Sequence, residues 1–257
     1  MSFENLSYPV IKKVLDELCL KDALHASVIC QSWRKILLRY LFETYNPVRY
    51  LSDIFPEPKS MLNTFRKTGA ILSGSRGLAY FLPSLRHRIV DSDWDIFVPS
   101  ANEELLHLEL QVQSFKLIPR DKPQPQPARF TVYNYLNYEK RKVQLVVLKE
   151  CLFYECLINF HMSIVMNCIT GRGAYSKFWK STFEGRGWTA ERLDGHPEYR
   201  KEQIEKYAKK GIRLVQWAER DELEYGVLAV YWNEAMGKCL TDEEFQMELA
   251  EYTTDLR

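Results

Sequence analysis

The sequence runs to 257 residues with a net charge of +1, 46% apolar and 27% charged side chains. That balance excludes a disordered chain and allows a real core, and a charge so near zero gives no global field for nucleic acid or a membrane surface. No run approaches the ~18 apolar residues of a bilayer span, and no basic-flanked apolar leader opens the chain. An intracellular protein, cytoplasmic or nuclear, is therefore expected. Its six cysteines (Cys19, Cys30, Cys151, Cys156, Cys168 and Cys239) form no C-x-x-C pair and are expected as reduced thiols.

Residues 6–42 read as helices. Val10, Ile11, Val14, Leu15 and Leu18 fall on one helical stripe. Asp22 can cap a second helix carrying Ala23, Leu24 and Val28, and Trp33, Ile36, Leu37 and Leu41 mark a third. A linker is expected over 46–60, where Pro47, Pro56 and Pro58 favour extended chain. From about Met61 the pattern changes. Gly69–Ser73 reads as a short buried strand, Leu78–Phe81 as a helix, Asp93–Val98 as a strand, and 101–114 as a helix with leucines at helical spacing. The run Asp121–Pro127, rich in Pro and Gln, reads as a connecting loop. Phe130–Tyr138 and Arg141–Leu148 read as a hairpin. Beyond Glu150 the pattern is mostly helical, with helices expected at Leu152–Phe160, Ser163–Cys168, Glu198–Trp217 and Thr241–Tyr252. The fold class is α+β, with a helical module (1–45), the linker, an α/β core (61–150) and a helical C-terminal part (151–257).

Charge is uneven near the end. Glu198–Arg213 carries six Lys/Arg against three Glu, whereas Glu219 to the C-terminus carries eleven acids against three bases. Both can be solvated helix faces, and the first can also be a basic strip for a phosphate-bearing partner.

The N-terminal run Leu6-Ser7-Tyr8-Pro9-Val10, followed by Val14-Leu15, Leu18, Asp22, Ile29-Cys30 and Trp33-Arg34, resembles the F-box. Ser7 and Pro9 depart from the family's usual proline and acid. About forty residues of helix bury little surface alone and are commonly completed by packing on something else. The resemblance implies that the partner is a Skp-type adaptor of a cullin ubiquitin ligase, met by Leu6, Val10, Val14, Leu15 and Leu18. The ubiquitination target is not named by any residue.

The second region contains Gly74-Ser75 at a helix start and Asp93-Trp94-Asp95 on the next strand. Residues i and i+2 of a strand share a face, so the two acids converge. Glycine and a serine at a helix start can cradle phosphate oxygens. The combination resembles nucleotidyltransferases of polymerase-beta type. The resemblance implies catalytic and metal-binding roles for Asp93 and Asp95, a role for Ser75 beside them, phosphate contacts by Gly74, Ser75 and Arg76, and magnesium with a nucleoside triphosphate as cofactors. It also implies a third carboxylate on the later strand Lys142–Val146, where the facing position holds Gln144. An amide cannot serve as a general base and is a weaker metal ligand. The domain is therefore expected to be a degenerate enzyme; the alternative is an active metal-dependent nucleotidyltransferase acting on protein, RNA or a small molecule. A simpler reading pairs Asp93 and Asp95 with Arg76, Arg86 or Arg88 as a charged strand end. The segment Phe160–Asn167 with Ala174-Tyr175-Ser176 resembles uncharacterised fungal proteins of the same pattern; His161 and Asn167 there could line a cleft or sit hydrogen-bonded in the core.

Overall fold

A computed structural model describes residues 6–17, 30–119, 130–149, 160–189, 197–215, 227–231 and 237–240. The chain is α+β: helices at the N-terminus lead into a mixed sheet of nine strands.

The helical module begins with α1 (Tyr8–Asp16), which carries Pro9 in its first turn, and continues in α2 (Gln31–Thr44). Proline is tolerated at a helix start because its missing N–H would have no intrahelical partner there. Ile11 and Leu15 of α1 are buried, as are Leu37 and Tyr40 of α2, and the Tyr40 hydroxyl donates to the Leu15 carbonyl at 3.0 Å. Cys30 caps α2, its sulfur accepting from the Trp33 N–H. The helix expected from Asp22 lies outside the described residues.

The segment 46–60 is not the extended linker its prolines suggested. Pro47 opens α3 (Pro47–Leu51) and Pro58 opens α4 (Pro58–Thr68), each at a helix start. Asn46 caps α3 by accepting from the Arg49 N–H at 3.1 Å. Tyr50, Leu51, Ile54 and Phe55 are all buried. Proline here fixes where helices begin, which the same residues in isolation cannot be told from where helices end.

Strand β1 (Ile71–Ser73) feeds α5 (Gly74–Phe81), then β2 (Trp94–Pro99), α6 (Glu103–Val112), β3 (Lys116–Leu117) and the hairpin β4 (Phe130–Leu136) and β5 (Lys142–Leu148). The C-terminal part is less helical than its sequence suggested. It supplies β6 (Asn167–Ile169), β7 (Gly173–Ser176), a short α7 (Trp179–Phe183), β8 (Arg186–Trp188), α8 (Pro197–Ala208), β9 (Arg213–Val215), β10 (Val227–Tyr231) and β11 (Gly237–Leu240). Strands of three or four residues have no measurable period, so Asn167–Ile169 cannot be told from the end of a helix by pattern. The helix expected over Glu198–Trp217 stops at Ala208, and its last residues, 216 and 217, are outside the described part. The Asp121–Pro127 loop and the helices expected at Leu152–Phe160 and Thr241–Tyr252 lie outside it as well, apart from Phe160.

The sheet runs β11-β10-β7-β6-β1-β2-β5-β4-β3. Among the described residues its one parallel pair is β2 with β5, which sets Asp95 beside Gln144, and the other pairs in this sheet are antiparallel. Trp94, Ile96 and Val98 enter the main core, and the alternating side of β2 carries Asp95 and Phe97 to the opposite face. That core is shared with the helical module. Tyr40, Tyr45, Tyr80, Tyr50, Trp94 and Phe55 form a chain of ring contacts with centroids 5.3–6.4 Å apart. The Arg86 guanidinium donates to the Thr44 carbonyl at 2.8 Å, and the Tyr50 hydroxyl donates to the Arg76 carbonyl at 2.6 Å.

Candidate functional site

The turn from β1 into α5 positions the Gly-Ser pair. Gly74 has φ +70°, and a Cβ there would lie 2.4 Å from Asp95 Oδ2, so only glycine lets the turn approach that carboxylate. Ser73, at the N-cap position, spends its hydroxyl on the carbonyls of Asn167 (2.6 Å) and Val165 (3.3 Å) and leaves the first turn of α5 without a side-chain cap. Ser75 is 8% exposed. Its hydroxyl is 3.3 Å from that of Tyr207 and receives a hydrogen bond from Lys210 Nζ at 3.2 Å.

Asp93 precedes β2 and Asp95 lies within it, and both border one cavity of about 370 Å³ with Ser75 and Gln144. Asp91, Ser92 and Arg88 border the same cavity. The engagements here are less expected. Asp93 Oδ2 accepts from Lys142 Nζ at 3.1 Å, so its ion-pair partner is a lysine of β5 and none of the three nearby arginines. Those arginines are used elsewhere. Arg76 is buried, donates to the carbonyls of Ser92 (3.1 Å) and Val90 (2.6 Å), and stacks its guanidinium 4.6 Å from the Trp94 ring centre. It does not border the cavity, so the phosphate contact expected of it has no geometric support. Arg86 reaches carbonyls of Thr44, Ala79 and Tyr80, and Arg88 Nη1 donates to the Lys210 carbonyl at 3.1 Å.

Gln144 sits in register with Asp95 on the parallel strand. With its amide oriented to satisfy both ends, it donates to Asp95 Oδ1 at 3.1 Å and accepts from Lys142 Nζ at 2.8 Å. Lys142, Gln144, Asp93 and Asp95 thus form one small network. Burial is the main force that pushes the Asp95 carboxyl up to about 7, and the neighbouring Asp93 adds to it. Such a group holds its proton well into the neutral range.

This donor set does not fit a two-metal centre. Of the three acids that border the cavity, Asp93 is engaged by an ammonium and Asp95 by an amide N–H, while Asp91 lies in the turn before β2, and the position beside Asp95 on β5 is an amide. Among the described residues no three His, Cys, Asp or Glu side chains come together to hold a metal ion. Hard divalent cations require oxygen donors free to face them.

The opposite wall was not legible as a site. Lys206 and Lys210 come from α8 and the turn after it, with Arg88 and Ser92 beside them. Lys210 Nζ donates to Ser92 Oγ as well as to Ser75 Oγ, at 3.2 Å each. Its ammonium is pushed down to about 8, first by burial and then by the charges of Lys206 and Arg76. The signal available in the sequence was the basic strip Glu198–Arg213, whose Lys206 and Lys210 are one helical turn apart. His161 and Asn167 do not border the cavity. Asn167 is buried and donates to the Ile164 carbonyl at 2.7 Å, and the His161 ring lies 6.0 Å from that of Tyr199.

At the N-terminus, Val10 and Val14 are 45% and 43% exposed on α1, and Phe42 of α2 is 71% exposed. Leu15 is fully buried, Leu6 packs against the core edge, and Leu18 lies outside the described residues. Among the described residues no helix is long and apolar enough to cross a membrane.

Residues 3–44 match the F-box domain family. No curated protein matches the chain. Among solved structures, it is similar to the Thermotoga maritima CCA-adding enzyme complexed with tRNA_CCA, at 15% identity and a TM-score of 0.48, over 66% of this chain and 42% of that one. It is similar to a CCA-adding enzyme in complex with CTP at 15% identity and a TM-score of 0.48, over 66% of this chain and 43% of the other. An apo form of a CCA-adding enzyme gives 15% identity and a TM-score of 0.47, over 67% and 43%. The chain thus spans less than half the length of these structures, and a likeness of this size assigns no activity.

Proposed function

We propose that this chain, which carries an F-box domain at residues 3–44, is the substrate receptor of a cullin-type ubiquitin ligase, and that its second domain is nucleotidyltransferase-like and has lost its reaction. The family match carries the first half. It is supported by the half-exposed valines of α1: Val10 and Val14 offer apolar anchors to a Skp-type adaptor, while Ile11 and Leu15 hold the helix to the rest of the chain. Leu15 then frames the surface from beneath it. The protein works inside the cell, where such adaptors act. Its target is a protein that the second domain recognises.

Gln144 carries the second half. It occupies the register position beside Asp95 and offers that carboxylate an N–H. A group that can take no proton cannot act as the base, and removing a positioned base commonly costs orders of magnitude in rate. The second reading, an active metal-dependent nucleotidyltransferase, is favoured by the shared cavity of Ser75, Asp93 and Asp95.

Co-purification of the full chain with a Skp-type adaptor tests the receptor reading. Capture is expected for the wild type and is expected to fail for Val10→Asp/Val14→Asp, whose changes lie outside the core. Equal capture of both proteins, or of neither, would count against it.

A further inference from the structure

Two neighbouring helices of the second region show solvent very different faces. The exposed positions of α4 include Lys59, Ser60, Arg66 and Lys67. The adjacent α6 is tied to it by the Thr64 hydroxyl, which donates to the Glu109 carboxylate at 3.2 Å, yet it turns apolar side chains outward. Leu105, Leu108 and Val112 are 49%, 57% and 78% exposed. At 3.6 residues per turn these three fall within about 60° of arc. Leu106 and Leu110, on the other side of the helix, are fully buried in the main core. The helix thus has two apolar faces where packing on the sheet needs only one. Leu117 of β3 is exposed as well, a few residues further along the chain. A contiguous outward apolar stripe rimmed by charge marks a surface that meets another molecule.

Charge is segregated along that stripe. Glu103 and Glu104 stand in the first turn of α6, the helix carries no Lys or Arg, and the exposed Lys116 follows its C-terminal turn. The surface therefore carries its own complement, reversed end for end. Two copies laid antiparallel about a two-fold axis at Leu108 set Leu105 against Val112 of the second copy and Leu108 against its own counterpart. The same operation brings the acids of each copy towards Lys116 of the other, and it opposes the two helix dipoles. A parallel arrangement would place acids against acids. We propose that the outer face of α6 is a homodimer interface, with Leu105, Leu108 and Val112 as its apolar centre and Glu104 and Lys116 at its rim. Ten residues of helix span about 15 Å. Such a face is smaller than the roughly 800 Å² per partner of a standard interface, so the dimer is a weak one, with a Kd in the micromolar range.

Sedimentation of the full chain across the micromolar range tests this. The wild type is expected to pass from monomer to dimer, and to stop at the dimer because a two-fold contact closes on itself. Leu108→Glu sets two like charges together on the axis and is expected to leave only monomer. Val112→Glu, at the most exposed of the three positions, is expected to do the same, so the test does not hang on one variant's folding. Glu104→Lys changes two symmetric contacts at once and should weaken the dimer about tenfold, and Glu104→Lys/Lys116→Glu should recover the wild-type Kd to within about twofold. A wild type that stays monomeric, a dimer that persists in Leu108→Glu and Val112→Glu, or a charge swap that recovers nothing would overturn the proposal. Adaptor capture rests on α1 and should be equal for the wild type and Leu108→Glu, which keeps this surface and the receptor reading separately testable.

Discussion

The helical module and the β1–β2–β5 region both carry residues that resemble a known family, and they use them in opposite ways. In the module the matching apolar residues divide by helical face. Ile11 and Leu15 join the core, and Val10 and Val14 stay half exposed and available to a partner. In the second region the matching polar residues are consumed internally: Arg76 by the carbonyls of Val90 and Ser92, Asp93 by Lys142, Asp95 by Gln144. A family pattern kept in sequence therefore says little about whether its residues remain free to act. Their engagement decides that, and it depends on neighbours far along the chain.

Leu15→Asp should break the comparison most visibly. It puts a charge at a fully buried position in a core shared by both regions, and a loss of about 3–5 kcal/mol in denaturant unfolding is expected. Val14→Asp on the same helix should cost under about 0.5 kcal/mol. Equal losses would mean that the two faces of α1 are not distinct.

Gly74→Ala comes next. Its positive φ and the carboxylate of Asp95, which an added Cβ would strike, both oppose a side chain, and a loss of about 1–3 kcal/mol is expected. A wild-type denaturation midpoint for this variant would show that the turn does not press on the carboxylate as described.

Asp95 sharpens the electrostatic side. Its folded-state value of about 7 lies above the unfolded value of 3.8, so between those two the folded protein holds a proton that the unfolded chain has released. Stability from this group is complete below about pH 4 and falls as pH rises towards 7. Asp95→Asn removes that loss. It should stabilise the protein by about 1–2 kcal/mol at pH 8 and by little at pH 4, measured by urea unfolding at both. A variant no more stable than the wild type at pH 8 would indicate that the carboxylate is better solvated, or better paired, than its surroundings suggest.

Within the second region the smallest effect is expected from Lys142→Met. The pair it breaks is about one-third exposed on each side, and such pairs contribute about 0–1 kcal/mol. A much larger loss would make the Lys142–Gln144–Asp93–Asp95 network a structural keystone of the sheet.

Much of the fold was legible because its elements are long enough to show a period. The α1 stripe and the 130–148 hairpin follow from side-chain spacing. Gln144, named through the resemblance as standing where the family has its third carboxylate, pairs in register with Asp95. Three things were not legible. Pro47 and Pro58 open helices, and proline at a helix start differs from proline at a helix end only through residues that pack around it. Strands β6 and β7 are too short for periodicity. Lys206 and Lys210 meet Ser75 across more than 130 residues, as the 135-residue separation of Lys210 from Ser75 shows, and no local pattern encodes such a meeting.

The most direct measurement on the second domain is transfer of label from an α-labelled nucleoside triphosphate in magnesium, with the wild type run beside Asp93→Ala/Asp95→Ala. Equal, background-level labelling of both is the expected result. Labelling of the wild type that disappears in the double variant would contradict a domain that has lost its reaction.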